Sequence, residues 1–319
     1  VNILVDVSPY LRDRFFADGA LAGMRLIDDH AELTEALPGT EVLVTSWGQP
    51  ALTAQLLDLA PDLRLVAHTG ATVKFFVTEQ LWSRGIRVTQ AGQAMARPVA
   101  EAALAFTLAL LHRIPRFDHA MHARSSWQEA KDAPDQHEIL GCRIGVIGAS
   151  RTGRAYIALA KALGAEVSVA DPYLTDAADL GVRAVGLDTL LAKSRIVVVH
   201  APVLPETRHL IGKRELALMA DGAGLVNTAR SWLVDQDALL AEVSSGRLDA
   251  AIDVYDEEPL PAGDPLRGLP NVLLTPHTAG ATVEGHRRQG DIVLAEIGRF
   301  SRGEPLLHEV TAADLLRMG

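Results

Sequence analysis

The chain of 319 residues contains a single cysteine, Cys142. An internal disulfide is therefore excluded, and a reducing compartment is the natural setting. Aromatic residues are scarce at 5%, and there is no basic excess, since 30 lysines and arginines face 40 aspartates and glutamates for a net charge of −10. A nucleic-acid surface would want a basic face, so no nucleic-acid partner is expected. Long apolar runs are lacking as well. The longest, 102–111, is too short to cross a bilayer, so no membrane partner is expected either. No secretory leader is read at the start, where residues 2–7 already have the character of a strand, and a cytoplasmic location is the expectation. Solenoid periods and low-complexity tracts are missing too.

What is present is 48% apolar residues, 26 glycines and alternating strand and helix patterns, a composition of the α/β class with length enough for two domains. The organising stretch is 142–171. An apolar β-rich run at 144–147 meets the turn Gly148-Ala149-Ser150-Arg151-Thr152-Gly153, an Ala/Leu helix runs to 163, and Gly164 follows as its stop. A second strand at 166–170 ends in Asp171, 18 residues beyond Gly153. In such a unit the first glycine makes the turn, the helix N-terminus offers free N–H groups to a pyrophosphate, and the acid takes the ribose hydroxyls. Ser150 stands where the fingerprint has its middle glycine. Asp171 would repel a 2′-phosphate by roughly 1–4 kcal/mol at close range, and Pro172 and Tyr173 follow it rather than an arginine. NAD is favoured over NADP.

Ahead of this unit, strands are expected at 3–7, 25–27, 41–45, 63–67 and 86–89, with helices at 11–17, 51–60 and 77–84 between them. That alternation implies a parallel sheet covered on both faces, with ligands beyond the carboxyl ends of its strands. The loop 68–73 follows one such end, so its backbone N–H groups are candidates to hold an anion. Pro98 opens a linker helix at 99–113. Residues 116–140 read as polar and irregular: a flap, a dimer arm or a surface excursion. His112, His119, His122 and His137 lie on or near it without metal-ligand spacing, and no metal is expected. Trp47 reads as core or as pocket wall. Further strands are expected at 182–185, 196–200, 224–227, 250–254 and 271–275, and a closing helix at 283–300 returns to the first domain.

Hydride transfer to a carbonyl needs a proton donor of near-neutral pKa, usually histidine, and a cation to grip a carboxylate, for which arginine has a planar fork. A carboxylate beside the histidine favours its charged form. His277, Arg230 and Glu258 stand at expected strand ends or in the loops that follow. They lie within Asn227-Thr228-Ala229-Arg230, Glu257-Glu258-Pro259 and Thr275-Pro276-His277-Thr278-Ala279-Gly280. In this order, behind the glycine turn, these segments resemble the D-isomer-specific 2-hydroxyacid dehydrogenases, and the resemblance covers nearly the whole chain.

The resemblance implies two doubly wound parallel-sheet α/β domains: a Rossmann NAD-binding domain, 99–282, inserted into a discontinuous flavodoxin-like substrate domain, 1–98 plus 283–319. It implies a D-specific, NAD-dependent oxidoreductase acting on a 2-oxo or 2-hydroxy acid. Arg230 would bind the substrate carboxylate and carbonyl, His277 would be the acid/base, and Glu258 would tune His277. Ala71 and Thr72 would form the backbone anion cradle. Gly148, Ser150, Arg151, Thr152, Gly153, Asp171, Ala201, Pro202, Thr207, Thr228, Asp253, His277 and Gly280 would line the cofactor. A homodimer is implied as well. The chain departs from the family at Thr72 (glycine), Lys74 (aspartate), Met95 (asparagine) and Ser231 (glycine), with the bulky Trp232 following. Those departures keep open an NAD(H)-sensing, corepressor-like protein without turnover, and a dehydrogenase of a non-carboxylate anion.

Overall fold

A computed structural model describes residues 1–315. The chain divides into two compact units, Val1–Met95 with the segment beginning at Ala281, and Ala96–Gly280. The crossing points fall at 95/96 and 280/281, slightly ahead of the expected 98/99 and 282/283. At the first of them the linker helix already starts at Ala96, leaving Pro98 inside its first turn, where its missing N–H costs nothing.

The first unit carries β1 (Ile3–Asp6), β2 (Arg25–Ile27), β3 (Val42–Thr45), β4 (Leu65–His68) and β5 (Arg87–Gln90). The second carries β6 (Arg143–Ile147), β7 (Glu166–Ala170), β8 (Arg183–Ala184), β9 (Ile196–Val199), β10 (Gly224–Asn227), β11 (Asp249–Ile252) and β12 (Val272–Leu274), and β13 (Glu309–Val310) returns to the first. The first sheet runs β13-β5-β4-β3-β1-β2, a flavodoxin-like order, and the second β12-β11-β10-β9-β6-β7-β8, a Rossmann order with one strand added. All pairings are parallel except β13 with β5. That antiparallel edge corrects the expectation of a wholly parallel sheet; two residues are too few to show a period.

Alternation of side chains across each strand builds two cores per sheet. In the first unit Leu4, Leu43, Val66 and Val88 face one core, while Val5, Val44, Leu65 and Ala67 face the other. The second core also takes Phe15, Phe16 and, from helix Val283–Ser301, Val293 and Ile297. In the second unit Ile147, Val197, Val199 and Leu225 oppose Val146, Ile196, Val198 and Val226.

Two expectations need correcting. The stretch 116–140 is not irregular throughout: Ile114–His122 and Trp127–Ala130 are helical, the second opened by a Ser126–Glu129 capping box. Pro115, which reads as a breaker, sits in the first turn of the former, where proline is tolerated. The second correction concerns length. Gly92–Leu111 is a continuous helical stretch of 20 residues, long and apolar enough by length and composition to cross a membrane, whereas only 102–111 had been counted. Ala100, Ala103, Phe106, Leu110 and Leu111 instead pack with Ile144, Val146 and Val198, so this is a core helix of the second unit.

Candidate functional site

The carboxyl ends of β6, β7, β9, β10, β11 and β12 carry every expected site residue of the second unit. At the end of β6, Gly148 has φ 93, and a Cβ there would stand 2.6 Å from both N and Cα of Ala201. A Cβ at Gly153 would run into the Gly148 carbonyl oxygen. Both positions therefore need glycine, one for backbone shape and one for the close approach of helix to turn. Ser150 explains the departure from the glycine fingerprint: it is the N-cap of helix Arg151–Ala162, its Oγ accepting from Gly153 N–H at 3.2 Å. Thr152 is half-buried in that first turn, and Arg151 is exposed.

Asp171, at the end of β7, closes this turn from the side. Its Oδ2 accepts from Ala149 N–H at 2.7 Å and its Oδ1 from Tyr173 N–H at 2.8 Å, leaving further lone pairs for hydroxyl donors. After β9, Thr207 Oγ1 lies 2.8 Å from the Pro202 carbonyl oxygen and accepts from Leu204 N–H, so it fastens the loop that begins at Ala201. After β10, Thr228 Oγ1 is buried and has no hydrogen-bond partner among the described residues. A turn that admits no Cβ, a helix N-terminus beside it, a carboxylate at the next strand end and an orphaned buried hydroxyl together fit an adenine dinucleotide.

The remaining polar groups form one connected cluster. Asn227 shapes the loop after β10, donating from Nδ2 to the Arg230 carbonyl at 3.0 Å and accepting from Ala229 N–H at 3.0 Å. Arg230 is half-buried, and its Nη1 donates to the Ala229 carbonyl at 2.6 Å. Burial pulls its guanidinium below the usual arginine range, and Glu258 opposes the shift. Glu258 receives Tyr255 N–H on Oε1 at 3.0 Å and stands 2.7 Å from His277 Nδ1 through Oε2. Burial pushes its carboxyl up, but the hydrogen bonds of His277 and Tyr255 and the nearby charges of His277 and Arg230 hold it below the ordinary glutamate range. Glu258 thus contacts His277 directly and acts on Arg230 through its charge.

His277 has φ 53, a left-handed conformation that a histidine adopts at a cost and keeps only where its surroundings impose it. Asp253 imposes it here. Its buried carboxylate takes Thr275 Oγ1–H at 2.5 Å and Thr278 N–H at 2.9 Å on Oδ1, and Ala279 N–H at 3.0 Å on Oδ2, clasping the residues on either side of His277 up to the half-buried Gly280. The Tyr255 hydroxyl, 2.8 Å from the Thr275 carbonyl, pins the same bend. With Nδ1 turned to Glu258, Nε2 of His277 is left for another partner.

Composition and motif left several of these contacts unannounced. Trp232 donates from Nε1 to the Leu204 carbonyl at 3.0 Å, and the Arg208 guanidinium lies 5.1 Å over its ring, tying the Arg230 loop to the 201–209 loop. An exposed tryptophan two residues after an arginine gives no signal of this. His200 is entirely unsuited to proton transfer to solvent: burial against the Tyr156 ring pushes its pKa down to about 3. Of His112, His119, His122 and His137, the first three are exposed, and His137 is half-buried against the Arg195 guanidinium.

In the first unit, the backbone N–H groups of Gly70, Ala71, Thr72 and Val73 donate to no other group among the described residues. Nearby, the buried Gln289, from helix Val283–Ser301, donates to the Thr69 carbonyl at 2.8 Å. His68 shares a hydrogen bond with Thr45 at 2.9 Å, and burial pushes its pKa down to about 3. Trp47 is 41% exposed and packs against Phe15 and His286, so it is partly wall and partly core.

Comparison with known proteins agrees with this arrangement. Residues 104–279 match the family model described as D-isomer specific 2-hydroxyacid dehydrogenase, NAD binding domain. A glyoxylate reductase of Korarchaeum cryptofilum is 31% identical over 300 residues, 88% of this chain and 90% of that protein. A D-3-phosphoglycerate dehydrogenase of Methanocaldococcus jannaschii is 34% identical over 277 residues, 86% of this chain but 52% of that protein, so the chain spans about half the length of such relatives. Among solved structures, a D-2-hydroxyisocaproate dehydrogenase superposes with a TM-score of 0.86 at 25% identity, over 97% of this chain and 99% of that one. The second unit is an NAD-binding domain, and the chain belongs to the D-isomer specific 2-hydroxyacid dehydrogenase family.

Proposed function

We propose that the protein is an NAD-dependent dehydrogenase that interconverts 2-oxo and D-2-hydroxy acids. The observation that carries this reading is the His277–Glu258 contact at 2.7 Å, which holds a histidine by Nδ1 and leaves Nε2 for a substrate oxygen. NAD, when bound, supplies or takes the hydride; Gly148, Ser150, Arg151, Thr152 and Gly153 would hold its pyrophosphate, and Asp171 its ribose. Ala201, Pro202, Thr207, Thr228, Asp253 and Gly280 shape the rest of that surface. Arg230 receives the substrate carboxylate and polarises the carbonyl, its attraction for an anion strengthened where water is partly excluded. His277 Nε2 gives a proton to the carbonyl oxygen in reduction and recovers it in oxidation. Glu258 orients the ring and stabilises the positive charge it acquires. The unused N–H groups at Ala71 and Thr72 are suited to hold an anionic group of the substrate. A sensing protein without turnover would have no use for a proton donor kept in left-handed backbone by a buried carboxylate, which argues against that alternative.

The test is NADH oxidation with glyoxylate, pyruvate, hydroxypyruvate and bulkier 2-oxo acids. At least one acid is expected to turn over, with kcat in the ordinary range of about 1–10³ s⁻¹. NADH binding without oxidation by any of them would remove the enzyme reading. We further propose a cytoplasmic homodimer. The single cysteine suits a reducing compartment, and the exposed Ile114, Met121, Trp127 and Leu140 give the 114–140 segment an apolar surface suited to a second copy. Sedimentation should give twice the chain mass, and Trp127→Glu should shift it to monomer; a monomeric parent would rule the dimer out.

A further inference from the structure

The second unit has an open, polar surface hollow of about 680 Å³ at the N-terminal edge of its sheet, the edge opposite the dinucleotide turn. Its walls come mainly from residues just ahead of β9, β10 and β11, among them Arg195, Asp221, Gly222 and Arg247, with Arg113 and the 133–135 segment beside them. Arg113, in left-handed backbone at the end of the linker helix, is 3% exposed and pairs with the Asp249 carboxylate, itself 1% exposed. Arg116 pairs with the same carboxylate at 2.6 Å. Arg195 touches His137 Nε2, and no carboxylate oxygen of the described residues lies within 4.0 Å of it.

Arg113 and Arg116 thus share one buried carboxylate, and Arg195 stands beside them in a partly desolvated place without an ion-pair partner of its own among the described residues. Arg113 and Arg195 face a common point. A Cβ on Gly222 would lie 3.4 Å from Arg113 Nη2 and 3.7 Å from Arg195 Nη1. Arg113 is already committed, with Nε to the Asp135 carbonyl at 3.2 Å and Nη2 to the Gly222 carbonyl at 3.1 Å. Arg247 is committed too, to Glu242, Asp221 and the carbonyls of Met219 and Leu216. Arg195 retains donors to spare. The carboxylates at the rim are Asp135, which is exposed, and Asp221, which is engaged with Arg247. His137 is pushed towards its neutral form by burial, then by the charges of Arg195 and Arg113, so its ring brings no charge of its own to the hollow.

We propose that this hollow binds a small oxyanion of the phosphate class, as the free ion or as the phosphoryl group of a metabolite, with Arg195 as its main ligand. Guanidinium forks match such oxygens in pairs, and Arg195 is the guanidinium of this hollow with no carboxylate oxygen of the described residues within 4.0 Å. The site stands apart from the dinucleotide turn and from His277, and it does not depend on the dehydrogenase reading.

Calorimetric titration of the full chain, saturated with NADH so that the glycine turn is filled, tests the idea with inorganic phosphate and with glycerol 3-phosphate. Saturable binding is expected for at least one of them, weakened at least tenfold by Arg195→Gln with NADH affinity unchanged. Tighter binding of glycerol 3-phosphate would assign the site to a metabolite, and tighter binding of phosphate to the free ion. Should Arg195→Gln fail to fold, Ser245→Glu at the exposed mouth places a carboxylate against the anion and should abolish binding. No saturable binding, or equal affinity in the folded variants, would overturn the proposal.

Discussion

Replacing His277 by alanine is expected to lower kcat for 2-oxo acid reduction by about 10²–10⁴-fold, the usual worth of a positioned proton donor. NADH affinity should change little, because the helix start, Gly148 and Asp171 lie on other strand ends. The loss should appear in kcat rather than in KM for the acid, since the proton is transferred only as the carbonyl is reduced. Glu258→Gln should show a smaller loss, as the amide oxygen can still accept from Nδ1 but no longer offsets the charge on the ring. Steady-state kinetics on both variants, with NADH binding followed by fluorescence, separate the two contributions. An undiminished kcat in His277→Ala would mean that another group delivers the proton.

The second large effect is on stability. Asp249→Ala removes the one buried carboxylate shared by Arg113 and Arg116. Deleting one partner of a buried ion pair typically costs about 3–5 kcal/mol, because the opposite charge stays behind in a poor solvent. Here two guanidinium groups are left, beside a third at Arg195, which places the expectation at the upper end. Denaturant unfolding should record the loss as a lower midpoint at similar slope. A change below about 1 kcal/mol would show that water reaches these arginines freely. Phosphate, if it fills the neighbouring hollow, should restore part of the lost stability by mass action.

Much of this architecture was legible in the residues. Runs such as Ile196–Val199 and Gly224–Asn227, apolar and bounded by polar or special residues, read as strands buried on both faces, and they are. The candidate site was partly legible for the same reason: in a doubly wound sheet the loops past the strand ends share one edge, and Arg230, Glu258 and His277 stand in such loops. What escaped is what depends on distance along the chain. The Arg113–Asp249 pair joins residues 136 positions apart, and nothing local distinguishes either from a surface charge. The same holds for Asp253. Its place at a strand end pointed towards the cofactor, but only coordinates show both of its oxygens holding the bend at 275–279. Ser150 looked like a defect in a glycine motif until its hydroxyl was seen to cap the helix. Ile114–His122 was missed because a short amphipathic helix with proline near its start looks polar and broken.

The discontinuity of the first unit has a consequence for the order in which the molecule takes shape. Phe15, Phe16 and one face of β1, β3 and β4 are covered by Val293 and Ile297, which leave the ribosome more than two hundred residues later. Until then that face has no lid, whereas the intervening unit holds all of its own strands and can close as soon as β12 emerges. The nucleotide half is therefore born complete, and the half that opens the chain must wait, sticky and half-built, for its own tail.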